Sequence, residues 1–252
     1  MSLDRRAFLG VAGLSALALA GRSSLGALAG AGVPAGTLPR TRWAMVIDPR
    51  KCQKAEGCTG CIAACDAAHN VPHLPEPAHE VKWIWREPFA RAFPDQESPY
   101  IQETLRDRPV LVFCNHCDNP PCVRVCPTQA TWKRQDGIVM MDWHRCIGCR
   151  YCVAGCPYGS RSFNWRDPRP HIQALNPAFP TRSKGVVEKC NLCEERLARG
   201  EPPACVAACE EKALVFGNLE DPGSAVRQLL RTRYTIRRRP ELGTRPAIYY
   251  LV

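Results

Sequence analysis

The run Cys146-Ile-Gly-Cys149-Arg-Tyr-Cys152-Val-Ala-Gly-Cys156-Pro157 constrains this chain more than any other stretch. Its spacing, C-x2-C-x2-C-x3-C-P, is one that holds iron–sulfur clusters. Three cysteines two residues apart wrap a tight loop around one face of a cubane, so three irons each receive a thiolate. The fourth cysteine lies beyond the loop and points away from that face, toward a neighbouring cluster. Gly148 and Gly155 let the backbone approach closely, and Pro157 turns the chain.

The sixteen cysteines fall into four groups of four. The other three are Cys52, Cys58, Cys61 and Cys65; Cys114, Cys117, Cys122 and Cys126; and Cys190, Cys193, Cys205 and Cys209. An even cysteine count in an exported chain would ordinarily mean disulfides, and paired C-x2-C knuckles would mean zinc. Four cysteines within eleven residues followed by proline fit neither, so all sixteen are expected to ligate iron.

The 252 residues include 45% hydrophobic side chains, enough for a core, but 23 prolines and 18 glycines imply many turns and little long regular structure. Bound metal is then expected to replace part of a core. The net charge of +10 offsets anionic clusters and their thiolates better than it indicates nucleic acid, although a zinc-stabilised nucleic-acid binder is the alternative of a different class.

Residues 1–31 read as a twin-arginine-type signal peptide: Arg5-Arg6 precede Ala7-Phe8-Leu9 and a mildly apolar stretch too short to span a bilayer. Ala27-Leu28-Ala29 or Ala29-Gly30-Ala31 could be cleaved. Asp4 and Gly10 depart from the usual pattern around the arginines. Residues 40–110 begin with a strand-like run, Trp43-Ala-Met-Val-Ile47, then the first group and a Pro-rich insertion. There Trp83 and Trp85 suit a strand, and His69, His73 and His79 read as ordinary polar loop residues.

Residues 111–165 hold the two middle groups, with strands expected at 110–113 and 137–141. His116 stands between two cysteines, but cysteine supply is complete without it. Trp132, Trp143 and Trp165 are expected to shield clusters from water. Residues 166–220 are a second Pro-rich insertion and the fourth group. Residues 221–252 are a tail with a helix capped by Ser224 and a closing strand at 247–252. Five arginines between 231 and 239 suit either an anionic partner or a solvated basic strand.

An internal repeat organises the groups. Asp48 precedes Cys52 by the four residues that separate Asp142 from Cys146. Cys114-Asn115 with Cys122-Val123 through Ala130 matches Cys190-Asn191 with Cys205-Val206 through Ala213. The repeat implies two related modules. The middle groups form a compact inner module, and the first and fourth groups pair around it, so the expected fold is α+β with two nested two-cluster modules. The crossing rule then assigns Cys114, Cys117, Cys122 and Cys156 to one cluster, and Cys146, Cys149, Cys152 and Cys126 to its neighbour. It assigns Cys52, Cys58, Cys61 and Cys209 to a third, and Cys190, Cys193, Cys205 and Cys65 to the fourth.

In this order the groups resemble the four-cluster ferredoxin-like subunits of dimethyl sulfoxide reductase and polysulfide reductase type. Ala68-His-Asn-Val-Pro72, Cys114-Asn-His-Cys117, His144-Arg-Cys-Ile-Gly-Cys149, Cys156-Pro-Tyr-Gly-Ser160 and Pro240-Glu-Leu-Gly243 resemble the DsrO subunits, the exported iron–sulfur subunits of sulfur-metabolism membrane complexes. The resemblance implies 4Fe-4S clusters, one of which could be 3Fe-4S, in two ferredoxin-like modules. It implies a periplasmic site on the cytoplasmic membrane, a quinone-interacting membrane subunit of polysulfide reductase type, and a multihaem cytochrome c. The expected function is electron transfer without catalysis and without nucleic acid. The alternative within that class is the iron–sulfur subunit of a periplasmic molybdopterin reductase acting on tetrathionate or polysulfide.

Overall fold

The computed structural model describes residues 41–53 and 57–252. The segment read as a signal peptide, with its paired arginines, lies outside the described residues. The strands are β1 (Trp43–Ile47), β2 (Ile84–Pro88), β3 (Pro109–Phe113), β4 (Thr131–Lys133), β5 (Val139–Met141), β6 (Ser162–Phe163), β7 (Val187–Glu188), β8 (Leu214–Asn218), β9 (Thr235–Ile236) and β10 (Ile248–Leu251). The helices are α1 (Pro49–Cys52), α2 (Gly60–His69), α3 (Phe89–Ala92), α4 (Glu103–Arg106), α5 (Pro121–Arg124), α6 (Tyr151–Ala154), α7 (Glu194–Leu197), α8 (Ala204–Ala207) and α9 (Ala225–Thr232).

β1 is an unbroken apolar run because both of its faces are covered. Met45 and Ile47 enter the main core with Val112, Phe113 and Tyr250. Ala44 and Val46 pack beneath Val226 of α9. Ser224 caps α9, its Oγ accepting from the Arg227 amide at 3.2 Å. The strands flank β1 in the order β8-β1-β10-β9, with β8 antiparallel and β10 parallel to it.

The remaining strands pair two by two: β2 with β3, β4 with β5, and β6 with β7. The first Pro-rich insertion is thus partly built into sheet, with Ile84 opposite Phe113. Trp83 lies just before β2, and Trp83, Ile84 and Trp85 are all buried, so no polar alternation marks that strand. A second apolar cluster, Cys122, Ala130, Val139, Met141, Cys152 and Val187, surrounds the middle cysteine groups.

Seven of the helices are single turns of four residues. One turn fixes too many dihedrals for its few hydrogen bonds to persist alone. Cys52, Cys122, Cys152 and Cys205 ride on such turns, and Cys61 and Cys65 ride on the longer α2. The cysteine loops are therefore held by what packs on them rather than by helix propensity.

One of the tail arginines is not solvated. Arg238 is buried, donating from Nε to the Ala92 carbonyl at 3.1 Å and from Nη2 to Glu87 Oε2 at 3.0 Å. It clamps the end of the chain onto α3 and β2.

Candidate metal centres

All sixteen cysteines are free of disulfides. Cys114, Cys117, Cys122 and Cys156 line one cavity together with Val139, Tyr158 and Arg161. Burial pushes the Cys117 thiol up to about 12; the sulfurs of Cys114, Cys122 and Cys156 add to the rise, and a hydrogen bond with Thr244 opposes it. Cys156 is likewise raised, by burial first and then by Cys114 and Cys122. The sulfur neighbours of Cys156 are thus members of the second group.

Beside this cavity, Cys126, Cys146 and Cys152 pack into the same apolar cluster. Cys152 is raised by burial, opposed by Arg161, and raised further by Cys122 and Cys146. Burial also raises Cys126, but the amides of Thr131, Thr128 and Ala130 and the Thr128 hydroxyl outweigh it and bring the thiol below its ordinary value. Cys149 is half-buried in the loop between them. Gly148 in that loop has φ +70°, and a Cβ there would lie 2.3 Å from the Gly185 carbonyl oxygen. Glycine is required both by the left-handed backbone and by this close approach.

The outer groups meet in the same fashion. Burial pushes Cys61 up to about 11, with Cys52, Cys209 and Cys58 adding to the rise and Arg86 opposing it. Cys65 is raised by burial, then by Cys190, Cys205 and Cys193. Between the sets, the charge of Cys114 bears on Cys190 and that of Cys61 on Cys205.

This donor set fits iron–sulfur clusters. It is all sulfur, the soft ligand such clusters take. Backbone amides aim at the sulfurs: Leu192 N at Cys190 (3.3 Å), Ala204 N at Cys193 (3.3 Å) and Ala213 N at Cys209 (3.2 Å). Such donors favour the thiolate. The buried thiols with raised pKa are protonated at neutral pH on their own, so metal binding there must release protons.

The histidines of the first insertion do not behave alike. His69 is not a loop residue: it ends α2, is buried, and stacks on Trp83 at 4.7 Å. Burial lowers its pKa, but Cys193 and Glu195 more than reverse this and hold it at about 9. The charged ring donates from Nδ1 to the Cys65 carbonyl (2.9 Å) and from Nε2 to Glu195 (3.0 Å). Both nitrogens are engaged, so the grouping of His69, Cys193 and Glu195 is a charge network rather than a metal site. His73 pairs with Asp66 and His79 with Glu76. His116 is buried, its Nδ1 accepting from the Val139 amide at 3.1 Å.

Two of the three tryptophans expected as shields are exposed, Trp132 at 38% and Trp165 at 43%. Trp165 carries the Arg150 guanidinium 4.8 Å above its ring. Trp143 does pack between the two cysteine-bearing cores.

A buried ion pair was not foreseen. Arg182 and Glu188 meet at 2.6 Å with side chains 0% exposed. Arg182 also donates to the carbonyls of His69 (2.5 Å) and Asn70 (2.7 Å), and Glu188 accepts from Trp83 Nε1 (3.0 Å) and Asn164 (2.5 Å). The pair ties the end of α2, which carries Cys65, to the strand leading into Cys190. Nothing in sequence distinguishes these two among 34 Lys and Arg and 24 Asp and Glu.

Comparison with known proteins gives a consistent picture. The 4Fe-4S dicluster domain family matches residues 110–170. The chain is 41% identical over 231 residues to the Hdr-like menaquinol oxidoreductase iron-sulfur subunit 1 of Archaeoglobus fulgidus, covering 84% of this chain and 83% of that protein. It is 35% identical over 239 residues to the menaquinone reductase iron-sulfur cluster-binding subunit of Nitratidesulfovibrio vulgaris, covering 84% and 89%. It is 36% identical over 216 residues to a tetrathionate reductase subunit of Salmonella typhimurium, covering 84% and 73%. The chain binds multiple 4Fe-4S clusters.

Proposed function

We propose, for a chain that belongs to the iron–sulfur subunits of menaquinol-linked and dimethyl sulfoxide reductase-type oxidoreductases, that it is a four-cluster electron wire. Bound clusters supply one-electron carriers; the protein supplies ligands, spacing and a dry interior. The ligand sets are those that the crossing rule assigns, with Cys126, Cys156, Cys65 and Cys209 each serving the partner group's cluster.

One observation supports this reading: sulfurs of successive groups lie close enough for their charges to act on one another. Cys152 of one set neighbours Cys122 of the next, Cys114 of that set neighbours Cys190, and Cys205 of that third set neighbours Cys61 of the last. An electron entering beside Cys146 has a continuous series of sites to the one beside Cys52. Antiparallel pairing of β4 with β5, and of β1 with β8, supports the nested two-module reading, because each pairing joins a strand after one group to a strand before another.

The wire works in the periplasm as a non-catalytic subunit of a DsrO-type sulfur-metabolism complex. It exchanges electrons with a quinone-interacting membrane subunit of polysulfide reductase type and a multihaem cytochrome c. Among the described residues no helix is long and apolar enough to cross a membrane. The match to the tetrathionate reductase subunit favours a second reading, in which the partner is a molybdopterin reductase.

Anaerobic purification of the native complex decides between them. The expected result is a brown complex with about sixteen irons per chain, a haem-bearing subunit and a membrane subunit. A co-purifying molybdopterin subunit selects the second reading, and about eight irons per chain overturns the four-cluster wire.

A further inference from the structure

The guanidinium of Arg161 occupies the ground between the second and third cysteine groups. The backbone on either side of it is pinned. Ser160 Oγ donates to the Phe113 carbonyl at 3.1 Å, and Ser162 pairs with Glu188 across β6 and β7. Ser162 Oγ also accepts from the Lys82 amide at 2.8 Å. Arg161 is thereby directed inward and is buried. Nη2 donates to Thr131 Oγ1 at 2.7 Å, and Nη1 lies 3.6 Å from Met141 Sδ.

The same side chain lines the cavity of Cys114, Cys117, Cys122 and Cys156. Its Nη1 partner Met141 packs in one apolar cluster with Cys122 of one group and Cys152 of the other, and the Arg161 charge bears on both sulfurs. The corresponding position five residues beyond Cys65 in the outer pair is Asn70. Its amide donates to the Asn176 and Phe179 carbonyls, so the side chain at that position is neutral.

We propose that Arg161 is a positioning residue for electron transfer shared by two neighbouring clusters, one fixed positive charge set between the second and third cysteine groups and raising both reduction potentials together. Reduction adds a negative charge to a buried site, and a cation close by in a medium of low dielectric favours the reduced form. Hydrogen bonds to cluster sulfurs act in the same direction. The planar fork of arginine can serve two acceptors at once, which a lysine ammonium on a single stem cannot do in fixed geometry. The inference rests on the reading that both middle groups hold clusters. It does not depend on which fourth cysteine crosses, because Cys122 and Cys152 belong to different groups in either case.

The test is an EPR-monitored redox titration of the anaerobically purified, cluster-loaded full chain. Signals are assigned beforehand with Cys122→Ser and Cys149→Ser. In Arg161→Met the potentials of the two inner clusters should fall, each by about tenfold in the one-electron equilibrium constant, or 59 mV, while the outer two stay in place. Unmoved inner potentials in a four-cluster Arg161→Met protein overturn the proposal, as does an equal shift in all four. Should that variant fail to load, Arg161→Lys decides. It keeps the charge but not the fork, so one inner potential should hold and the other fall; two unmoved potentials overturn the shared role. Absence of both inner signals in the unaltered chain would instead overturn the cluster reading itself.

Discussion

The amide of Asp48 donates to the carbonyl of Ala213 at 2.8 Å, and the two residues come from opposite ends of the chain. The amide of Asp142 makes the same bond to Ala130 at 2.7 Å, within a single hairpin. Each aspartate then turns the chain identically: Asp48 Oδ1 accepts from the Arg50 and Lys51 amides, and Asp142 Oδ1 from those of His144 and Arg145. The repeat visible in sequence is therefore a repeat of hydrogen bonds, once between neighbours and once across the chain.

The same relation makes the crossed ligation testable. Cys126→Ser should disturb the EPR signal that Cys149→Ser disturbs, and leave the one altered by Cys122→Ser, because serine is a much poorer ligand than a thiolate. If Cys122→Ser and Cys126→Ser alter one signal and Cys149→Ser another, each group serves its own cluster and the crossing is refuted.

Two glycines separate backbone strain from close packing. Gly159 has φ +65° with open space where a Cβ would lie, whereas Gly148 has φ +70° and the Gly185 oxygen in the way. Gly159→Ala should cost only the left-handed penalty of about 1–2 kcal/mol. Gly148→Ala should cost more and also weaken the signal of the Cys146, Cys149 and Cys152 loop. Anaerobic denaturation of both proteins measures the difference; equal midpoints would refute it.

Removing one partner of the Arg182–Glu188 pair leaves an uncompensated buried charge. Arg182→Met should destabilise the chain by about 3–5 kcal/mol. The double variant with Glu188→Gln should recover much of that loss, because the stranded carboxylate is gone. Chemical denaturation followed by loss of visible absorbance reads both effects. A single variant within about 1 kcal/mol of the parent would mean that the pair is not dry.

Export can be checked apart from the fold. Replacing Arg5 and Arg6 with lysine should leave the precursor in the cytoplasm, since a twin-arginine route reads the pair itself. Undiminished periplasmic protein on fractionation would show the arginines to be only a basic leader.

The cysteine groups and the strands leading into them were legible because both are local: spacing fixes a ligand loop, and an apolar run such as 43–47 fixes a doubly covered strand. What was not legible depends on distant partners. His69 reads as polar until Trp83, Cys193 and Glu195 are packed around it. Arg238 reads as solvated until Glu87 and the Ala92 carbonyl meet it. Trp132 and Trp165 read as shields because tryptophan is usually buried, yet the sheet pairing of β4 and the stacking of Arg150 leave both at the surface. The α2 helix was missed because cysteines, not an apolar stripe, occupy its inner positions.

The sheet order has a consequence for synthesis. β1 emerges from the ribosome early, yet both strands that flank it, β8 and β10, are made near the end. Until then β1 is an apolar strand with two open edges, the kind that sticks to other chains, and its native pairings carry the long sequence separations that slow folding. The sulfurs gathered around Cys61 are in the same position, since Cys52 and Cys58 are made early and Cys209 as late as β8. A nascent chain can complete its middle before its outside, and a truncated one cannot complete its outside at all.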